Sequence, residues 1–397
     1  MNQISDRLNR LSESQTLAMT RKSRELRAKG IDVINLSIGE PDFDTPEFIK
    51  EAAAEAIKNN VTHYPPVPGY EDLRKAISNK FKRDNNLEYS PEQIVVSTGA
   101  KQSLANVFLS LVNPGDEVLL PAPFWVSYLE IVKLAEGNPI VLDADIQQDF
   151  KITADQIENA ITNKTKLIVF SSPCNPTGSV YTKPELEEIA NVLSKHPEIF
   201  IVSDEIYEHI IFSGKHESIG TIDSVKNQVI TVNGVSKGFA MTGWRIGYIG
   251  APEWIAKACT KLQGQVTSGA SSISQKAALA AISAEPDITT EMKNTFHERR
   301  DLLLNLLGRV KGINTNIPQG AFYVFPEISH YLGKSYENYD IKDAKDLSIY
   351  LLEKANVALV PGEAFGKSGY IRISYACSKE VIIESVKRLE KALALLR

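Results

Sequence analysis

A chain of 397 residues with 43% hydrophobic content can build a large core shared between two packed domains. Its net charge of −5 and isoelectric point near 5.8 exclude the basic footprint of a nucleic-acid binder. The longest apolar runs, such as Lys166-Leu-Ile-Val-Phe170, are strand-length and far too short to span a membrane. Three well-separated cysteines (Cys174, Cys259, Cys377) fit reduced thiols, and Met1-Asn-Gln-Ile-Ser-Asp6 has no apolar signal segment, so a cytoplasmic protein is expected. The six histidines show no ligand spacing, and no metal is expected.

Residues 1–30 read as a polar helical arm in which Leu8, Leu11, Leu17 and Leu26 recur loosely. A short strand follows within Asp32-Val-Ile-Asn-Leu-Ser-Ile-Gly-Glu-Pro-Asp-Phe43 and breaks at Gly39 and Pro41, as any structural turn does. A helix is predicted over 46–58. Then His63-Tyr-Pro-Pro-Val-Pro-Gly-Tyr70, with three prolines and a glycine, forbids helix and gives a stiff extended loop. Loops of this kind often carry function, although Tyr64 alone reads equally as an ordinary loop aromatic.

From residue 94 the pattern becomes strand and helix in alternation. Strands are predicted at 94–97, 117–121, 139–142, 166–171, 200–203, 229–232 and 245–250, and helices at 101–112, 124–135, 154–161, 183–194 and 254–265. Short β-rich runs alternating with helices predict an α/β unit with a mainly parallel seven-stranded sheet, covered on both faces. Ligands of such sheets sit beyond the carboxyl ends of the strands. A long connecting helix is predicted at 287–310, its charges forming a solvated face. A smaller α+β unit follows, with strands at 321–325, 357–360 and 370–374, a helix at 343–355 and a terminal amphipathic helix. The expected division is 1–45 (arm and part of the small domain), 46–290 (large domain) and 291–397 (connecting helix and small domain).

The chemistry-bearing residues cluster at strand ends. In Ser97-Thr-Gly-Ala-Lys-Gln-Ser103 a strand ends, Gly99 and Ala100 turn, and a helix begins whose first N–H groups favour a phosphate. Neither a P-loop nor a dinucleotide fingerprint is present. In Pro121-Ala-Pro-Phe-Trp-Val-Ser-Tyr128, Trp125 is either structural or a stacking platform. Asn175, between two prolines in Ser171-Ser-Pro-Cys-Asn-Pro-Thr-Gly178, is turn chemistry or a ligand. Asp204 ends the buried strand of Phe200-Ile-Val-Ser-Asp-Glu-Ile-Tyr-Glu208, where an unpaired carboxylate is costly and a cationic partner is needed. Tyr207 lies one turn further if the chain coils there, and Glu205 reads as structural. After Val229-Ile-Thr-Val232 comes Lys237, with no adjacent carboxylate and with Ser236 and Arg245 placed to hold an anion. A lysine at the end of a core strand loses its proton more easily than one in water, as a Schiff-base lysine must. Arg372, in the alternating strand Tyr370-Ile-Arg-Ile-Ser-Tyr375, also needs an anion.

The stretch Ser236-Lys-Gly-Phe-Ala-Met-Thr-Gly-Trp-Arg-Ile-Gly-Tyr248 resembles the cofactor-lysine segment of class I, fold-type I pyridoxal-phosphate aminotransferases. The motifs from Gly39 to Arg372 follow that family's order, and the pattern is most similar to the bacterial subgroup of aspartate aminotransferases. The resemblance implies that Lys237 bonds covalently to pyridoxal phosphate and later serves as general base. Asp204 then pairs with the protonated ring nitrogen, Tyr207 and Asn175 reach the phenolic oxygen, and Trp125 stacks on the ring. Gly99, Ala100, Lys101, Ser236 and Arg245 form the phosphate site. Tyr64 is implied to reach the phosphate of a neighbouring subunit, which makes the protein a homodimer with shared sites. For the substrate, Arg372, Asn175 and the Gly39 backbone hold the α-carboxylate beside Trp125, while Lys101 and Thr16 take a distal carboxylate.

The resemblance therefore leads to the expectation of an aminotransferase for L-aspartate and 2-oxoglutarate. If Lys101 only adds to the phosphate site, the side-chain pocket is neutral and alanine or aromatic substrates fit better. Prephenate is disfavoured by Ser12, where prephenate-competent members of the subgroup tend to carry lysine. A pyridoxal-phosphate β-lyase shares most of these motifs and is separated by release of pyruvate without an acceptor acid. A non-catalytic sensor of the same fold would lack the lysine, and a nicotinamide dehydrogenase would show Gly-x-Gly-x-x-Gly after a strand.

Overall fold

The computed structural model describes residues 4–13 and 15–397; residues 1–3 and 14 of the expected arm lie outside them. Within the arm, helices form at Asp6–Asn9 and Gln15–Ala28. The large sheet contains β1 (Ile94–Ser97), β2 (Glu117–Ala122), β3 (Asn138–Asp143), β4 (Thr165–Ser171), β5 (Phe200–Asp204), β6 (Val229–Gly234) and β7 (Gly247–Gly250). Their spatial order is β1-β7-β6-β5-β4-β2-β3. Pairing is parallel from β6 through β5, β4, β2 to β3, while β7 runs antiparallel to both its neighbours, β1 and β6.

Side-chain alternation explains the two covered faces. Val95, Val118, Leu120, Leu167, Val169, Val202, Ile230, Val232 and Ile249 point to one side, where they meet Leu104, Val107 and Phe108 of helix Ala100–Leu111 and Ile255 and Cys259 of helix Glu253–Val266. Leu119, Ile168, Ile201 and Val229 point to the other, against Leu186, Ile189 and Leu193 of helix Lys183–Leu193. The C-terminal unit has its own core, in which helices Thr290–Leu307, Ala344–Lys354 and Lys379–Leu393 pack with Ile34 and Leu36 from the N-terminal segment.

Several elements depart from expectation. The strand expected at 245–250 begins only at Gly247, because Arg245 is in the left-handed conformation (φ 57°) at the end of a short 3-10 turn. The helix expected from 124 starts at Ser127; Phe124 N–H instead donates to Phe365 O at 3.0 Å, holding the chain extended up to Trp125. The strand expected at 357–360 is two: Val357–Ala358 pairs with Ile34–Asn35, and Val360–Pro361 turns to pair with Ile371–Ser374. Strand 321–325 shortens to Tyr323–Val324, with Ala321 at φ 57°. Helix 287–310 is preceded by a 3-10 turn at Pro286–Thr289 and runs only from Thr290 to Leu307. Two helices, Glu71–Asn85 and Ser272–Ser283, were not anticipated individually.

Candidate active site

Strand ends and the loops beyond them meet in a cleft of about 340 Å³. From the large sheet it receives Ala100 and Lys101 after β1, Trp125 after β2, Asn175 after β4, Asp204 at the end of β5, Tyr207 in the following turn, Ser236 and Lys237 after β6, and Arg245 just before β7. The arm contributes Thr16, the N-terminal segment Gly39 and Glu40, and the C-terminal unit Tyr323 and Arg372. Gly99 packs against Arg245, where a Cβ would clash with the guanidinium; its φ of 82° also favours glycine. Of the sequence-predicted site residues, Gly99 and Tyr64 do not line the cleft; Gly99 packs behind Arg245, and Tyr64 is 96% exposed.

Lys237 Nζ donates to Gly39 O at 2.5 Å. Burial brings its pKa down to about 8; Glu40 opposes this, while Arg372 and Arg245 add to it. Asp204 is buried, and desolvation raises its carboxyl to about 6 even though Tyr128 donates to Oδ2 at 2.6 Å and the Ile206 amide to Oδ1 at 3.2 Å. Among the described residues no cation forms an ion pair with it, so a buried carboxylate with two donors still lacks a charge partner. Arg372 is 2% exposed. Its Nη1 donates to Asn175 Oδ1 at 3.0 Å and its Nη2 to Ser37 O at 2.6 Å, while Nε is buried without a partner. Its guanidinium lies 4.6 Å from the centre of the Tyr323 ring. This arginine has directional contacts but no anion among them.

Also on the cleft wall, Lys101 Nζ sits 5.1 Å from the Trp125 ring centre. Partial desolvation, and then the nearby Arg245, lower its pKa, although the residue as a whole is exposed. The Arg245 guanidinium is anchored by Nη1 donating to Thr242 O at 2.9 Å.

The model of the family described as aminotransferase class I and II matches residues 31–389. The chain belongs to that family. It is 46% identical over 399 residues to a bifunctional aspartate aminotransferase and glutamate/aspartate-prephenate aminotransferase of Petunia hybrida, an alignment covering 99% of this chain and 83% of that protein. It is 44% identical to the aspartate/prephenate aminotransferase of Nitrosomonas europaea, covering 98% and 100% of the two chains. Among solved structures, the aspartate aminotransferase from Rhizobium meliloti matches with a TM-score of 0.96 at 41% identity over the whole of both chains. That from Thermus thermophilus, solved with maleate, gives 0.93 at 39% identity over 99% of this chain and 100% of the other. The aminotransferase fold is therefore fold type I, its cofactor pyridoxal phosphate, and its substrates small molecules. Among the described residues no helix is long and apolar enough to cross a membrane.

The cleft of this aminotransferase fits that cofactor. The glycine at position 99 keeps open the seat between the Ala100 helix start and Arg245, the Asp204 carboxylate lacks a cation, and Lys237 has a depressed pKa. Among the lining residues that sequence reasoning gave no role are Tyr323 and Tyr128. Tyr323 bonds hydroxyl to hydroxyl with Tyr207 at 2.9 Å, and its oxygen would lie 2.6 Å from a Cβ at position 39. Tyr128 was part of a recognised motif but carried no assigned role; its contact with Asp204 spans 76 positions and leaves no local signal.

A buried polar network underlies the turn that carries Asp204 and Tyr207. Glu205 accepts from Ser203, Ser218 and His216 at 2.9, 2.5 and 2.8 Å. Glu208 is paired with Lys80 and accepts from Asn85 at 2.6 Å. Against the cost of burial, Lys80, His209 and His216 hold the Glu208 carboxyl well below its usual range. Glu205, Glu208 and His216 lie close enough together to resemble a metal cluster, but Lys80 and the hydroxyl donors already answer the two carboxylates.

Proposed function

We propose that the enzyme transfers the amino group of L-aspartate to 2-oxoglutarate, giving oxaloacetate and L-glutamate in a ping-pong cycle. The observation that carries this reading is Lys101. It is a cation on the cleft wall with no ion pair or hydrogen bond among the described residues; of the other lining cations that pair with no carboxylate, Lys237 and Arg245 are given to the cofactor, which leaves Arg372. Two cations at a distance suit a dicarboxylate, with Arg372 and Asn175 on the α-carboxylate and Lys101 and Thr16 on the distal one. The Thermus relative solved with maleate, itself a dicarboxylate, supports the same choice.

When bound, pyridoxal phosphate supplies the carbonyl that captures the substrate amine and the ring that accepts electrons from Cα. Lys237 holds the cofactor and, once freed, takes the Cα proton at Nζ and returns it, a role suited to an amine near pKa 8. Asp204 would keep the ring nitrogen protonated, Tyr207 and Asn175 would donate to the phenolic oxygen, and Trp125 would offer the ring an aromatic face. Ser236, Arg245 and the first amides of helix Ala100–Leu111 hold the phosphate. The Gly39 backbone closes over the substrate carboxylate. The proposed domains are 1–45, 46–290 and 291–397, supported by Ile34 and Leu36 packing in the C-terminal core. A cytoplasmic location is supported by three cysteines that are all unpaired.

Lys101→Ser tests the substrate. Loss of one charge-assisted contact is expected to lower kcat/KM for aspartate by roughly 1.5–3 kcal/mol, about 10- to 100-fold, with alanine barely affected. Equal losses on both, or a wild type that prefers alanine or phenylalanine, overturns the assignment. Prephenate as amino acceptor is the second reading, favoured by the names of the relatives. Ser12 argues against it, offering no cation and engaging its backbone N–H with Glu130 at 2.8 Å. Aspartate-dependent consumption of prephenate by the purified enzyme decides that point.

The same reading makes the enzyme a homodimer in which Tyr64 serves the neighbouring site. An aromatic that is 96% exposed supports this, since such a side chain gains little unless something covers it. Tyr64→Phe is expected to weaken cofactor affinity about 10- to 100-fold through one lost contact to phosphate. Mixing Tyr64→Phe with Lys237→Ala subunits then yields hybrids with one doubly damaged and one intact site, so mixed samples recover cofactor retention and activity. A monomer that is active at assay concentration refutes the shared site.

A further inference from the structure

Tyr128 is fully buried, and its hydroxyl lies 2.6 Å from Asp204 Oδ2, the shorter of the two hydrogen bonds that carboxylate receives. The ring is fixed from the side by an edge contact with Trp125 at 5.5 Å between centroids. Helix Ser127–Leu134, which carries Tyr128, packs through Ile131 and Val132 into the core of the sheet, so the hydroxyl has little freedom to turn away. We propose that Tyr128 is a positioning residue that decides, through Asp204, whether the ring nitrogen of the cofactor or the carboxyl group holds their shared proton. This rests on the Asp204 role proposed above.

The pair shares one proton. It lies either on the ring nitrogen, leaving a carboxylate, or on the carboxyl oxygen, leaving a neutral pyridine. A hydrogen bond donated to the carboxylate stabilises the first arrangement more than the second, in which the neutral carboxyl is the weaker acceptor. The bias matters because desolvation alone pushes the Asp204 carboxyl up to about 6, in the direction that draws the proton off the ring. The Ile206 amide and the charge of Lys237 act in the same sense as Tyr128, while Glu205 acts against it. Cys174 and Tyr207 are the other titratable groups facing Asp204, and burial raises both, keeping them neutral. Tyr128 is thus the one side chain that donates a hydrogen bond to Asp204 among the described residues.

The experiment is a double-mutant cycle of Tyr128→Phe and Asp204→Asn, each reconstituted with pyridoxal phosphate labelled with ¹⁵N in the ring. In Tyr128→Phe the ring-nitrogen resonance at neutral pH is expected to move from the pyridinium toward the neutral-pyridine position. Cofactor affinity should fall roughly 10- to 100-fold, as for loss of one hydrogen bond to a charge. In the Asp204→Asn background the same change should add less than about twofold, because Tyr128 has no carboxylate left to act on. An unchanged resonance in Tyr128→Phe, or an equal loss of affinity with and without the Asp204 carboxylate, overturns the proposal, since a merely structural tyrosine behaves that way. If Asp204→Asn itself leaves the resonance in place, the Asp204 role is refuted and the proposal falls with it, a result distinct from the first two. Phenylalanine preserves the packing shape and asparagine keeps the volume and an acceptor oxygen of Asp204, and unfolding midpoints measured for each variant separate a lost fold from a lost contact.

Discussion

Lys237→Ala loses the covalent attachment of the cofactor while the phosphate site still holds it noncovalently. Turnover falls by roughly 10²–10⁴-fold from the missing base alone, and further because no amine remains to exchange with the substrate. The basis is the position of Nζ: it is bonded to Gly39 O at 2.5 Å, inside a cleft that brings its pKa to about 8. Borohydride reduction followed by peptide mass mapping checks it. Wild type should carry the cofactor mass on the peptide containing Lys237, and the variant should carry none. A labelled peptide elsewhere, or a variant with near-normal turnover, refutes the assignment.

Asp204→Ala should keep the covalent link but lose the carboxylate that balances a positive ring nitrogen. Removing one partner of a buried charge pair costs roughly 3–5 kcal/mol, so kcat should fall by about two to four decades. The loss should fall on proton removal more than on binding. With Cα-deuterated aspartate, the isotope effect on kcat should therefore rise, because that step becomes limiting. A variant that keeps its kcat, or loses it with no rise in the isotope effect, removes Asp204 from the mechanism.

The sheet was legible because strands covered on both faces read as continuous apolar runs: Leu167-Ile-Val-Phe and Ile201-Val in its parallel part, and Ile94-Val-Val at its antiparallel edge, all became strand. Helix Ser272–Ser283 hid for the converse reason. Its buried face consists of Ser272, Gln275, Ala277, Ala278, Ala281 and Ile282, of which Ile282 alone is large and apolar, so the apolar stripe is weak. Helix Glu71–Asn85 carries charge along most of its length, and its buried Lys80 is neutralised by a glutamate 128 positions away. Within the cleft, residues inside recognisable motifs could be named in advance. Tyr323 lies outside those motifs, and Tyr128, although inside one, had no role, since their contacts with Tyr207 and Asp204 are made only by the fold. Arg245 was named but set in a strand; it instead adopts a left-handed conformation between Gly243 and Gly247.

The reversed strand β7 has a consequence for how the phosphate seat is dimensioned. In the ladder, Gly247 pairs with Ser97 on one side and Gly234 on the other, so the end of β1, the start of β7 and the end of β6 share one rung. Gly99 and Ala100 lie just beyond the first, Arg245 just before the second, and Ser236 and Lys237 just beyond the third. Neighbouring strands are about 4.8 Å apart, so three of them set a gauge roughly 10 Å wide. That width is fixed by main-chain hydrogen bonds rather than by the side chains that grip the anion. Side chains at the rim can therefore be exchanged without altering the gauge, whereas a one-residue slip of β7 would displace Arg245 from its rung and spoil the seat with every side chain still present.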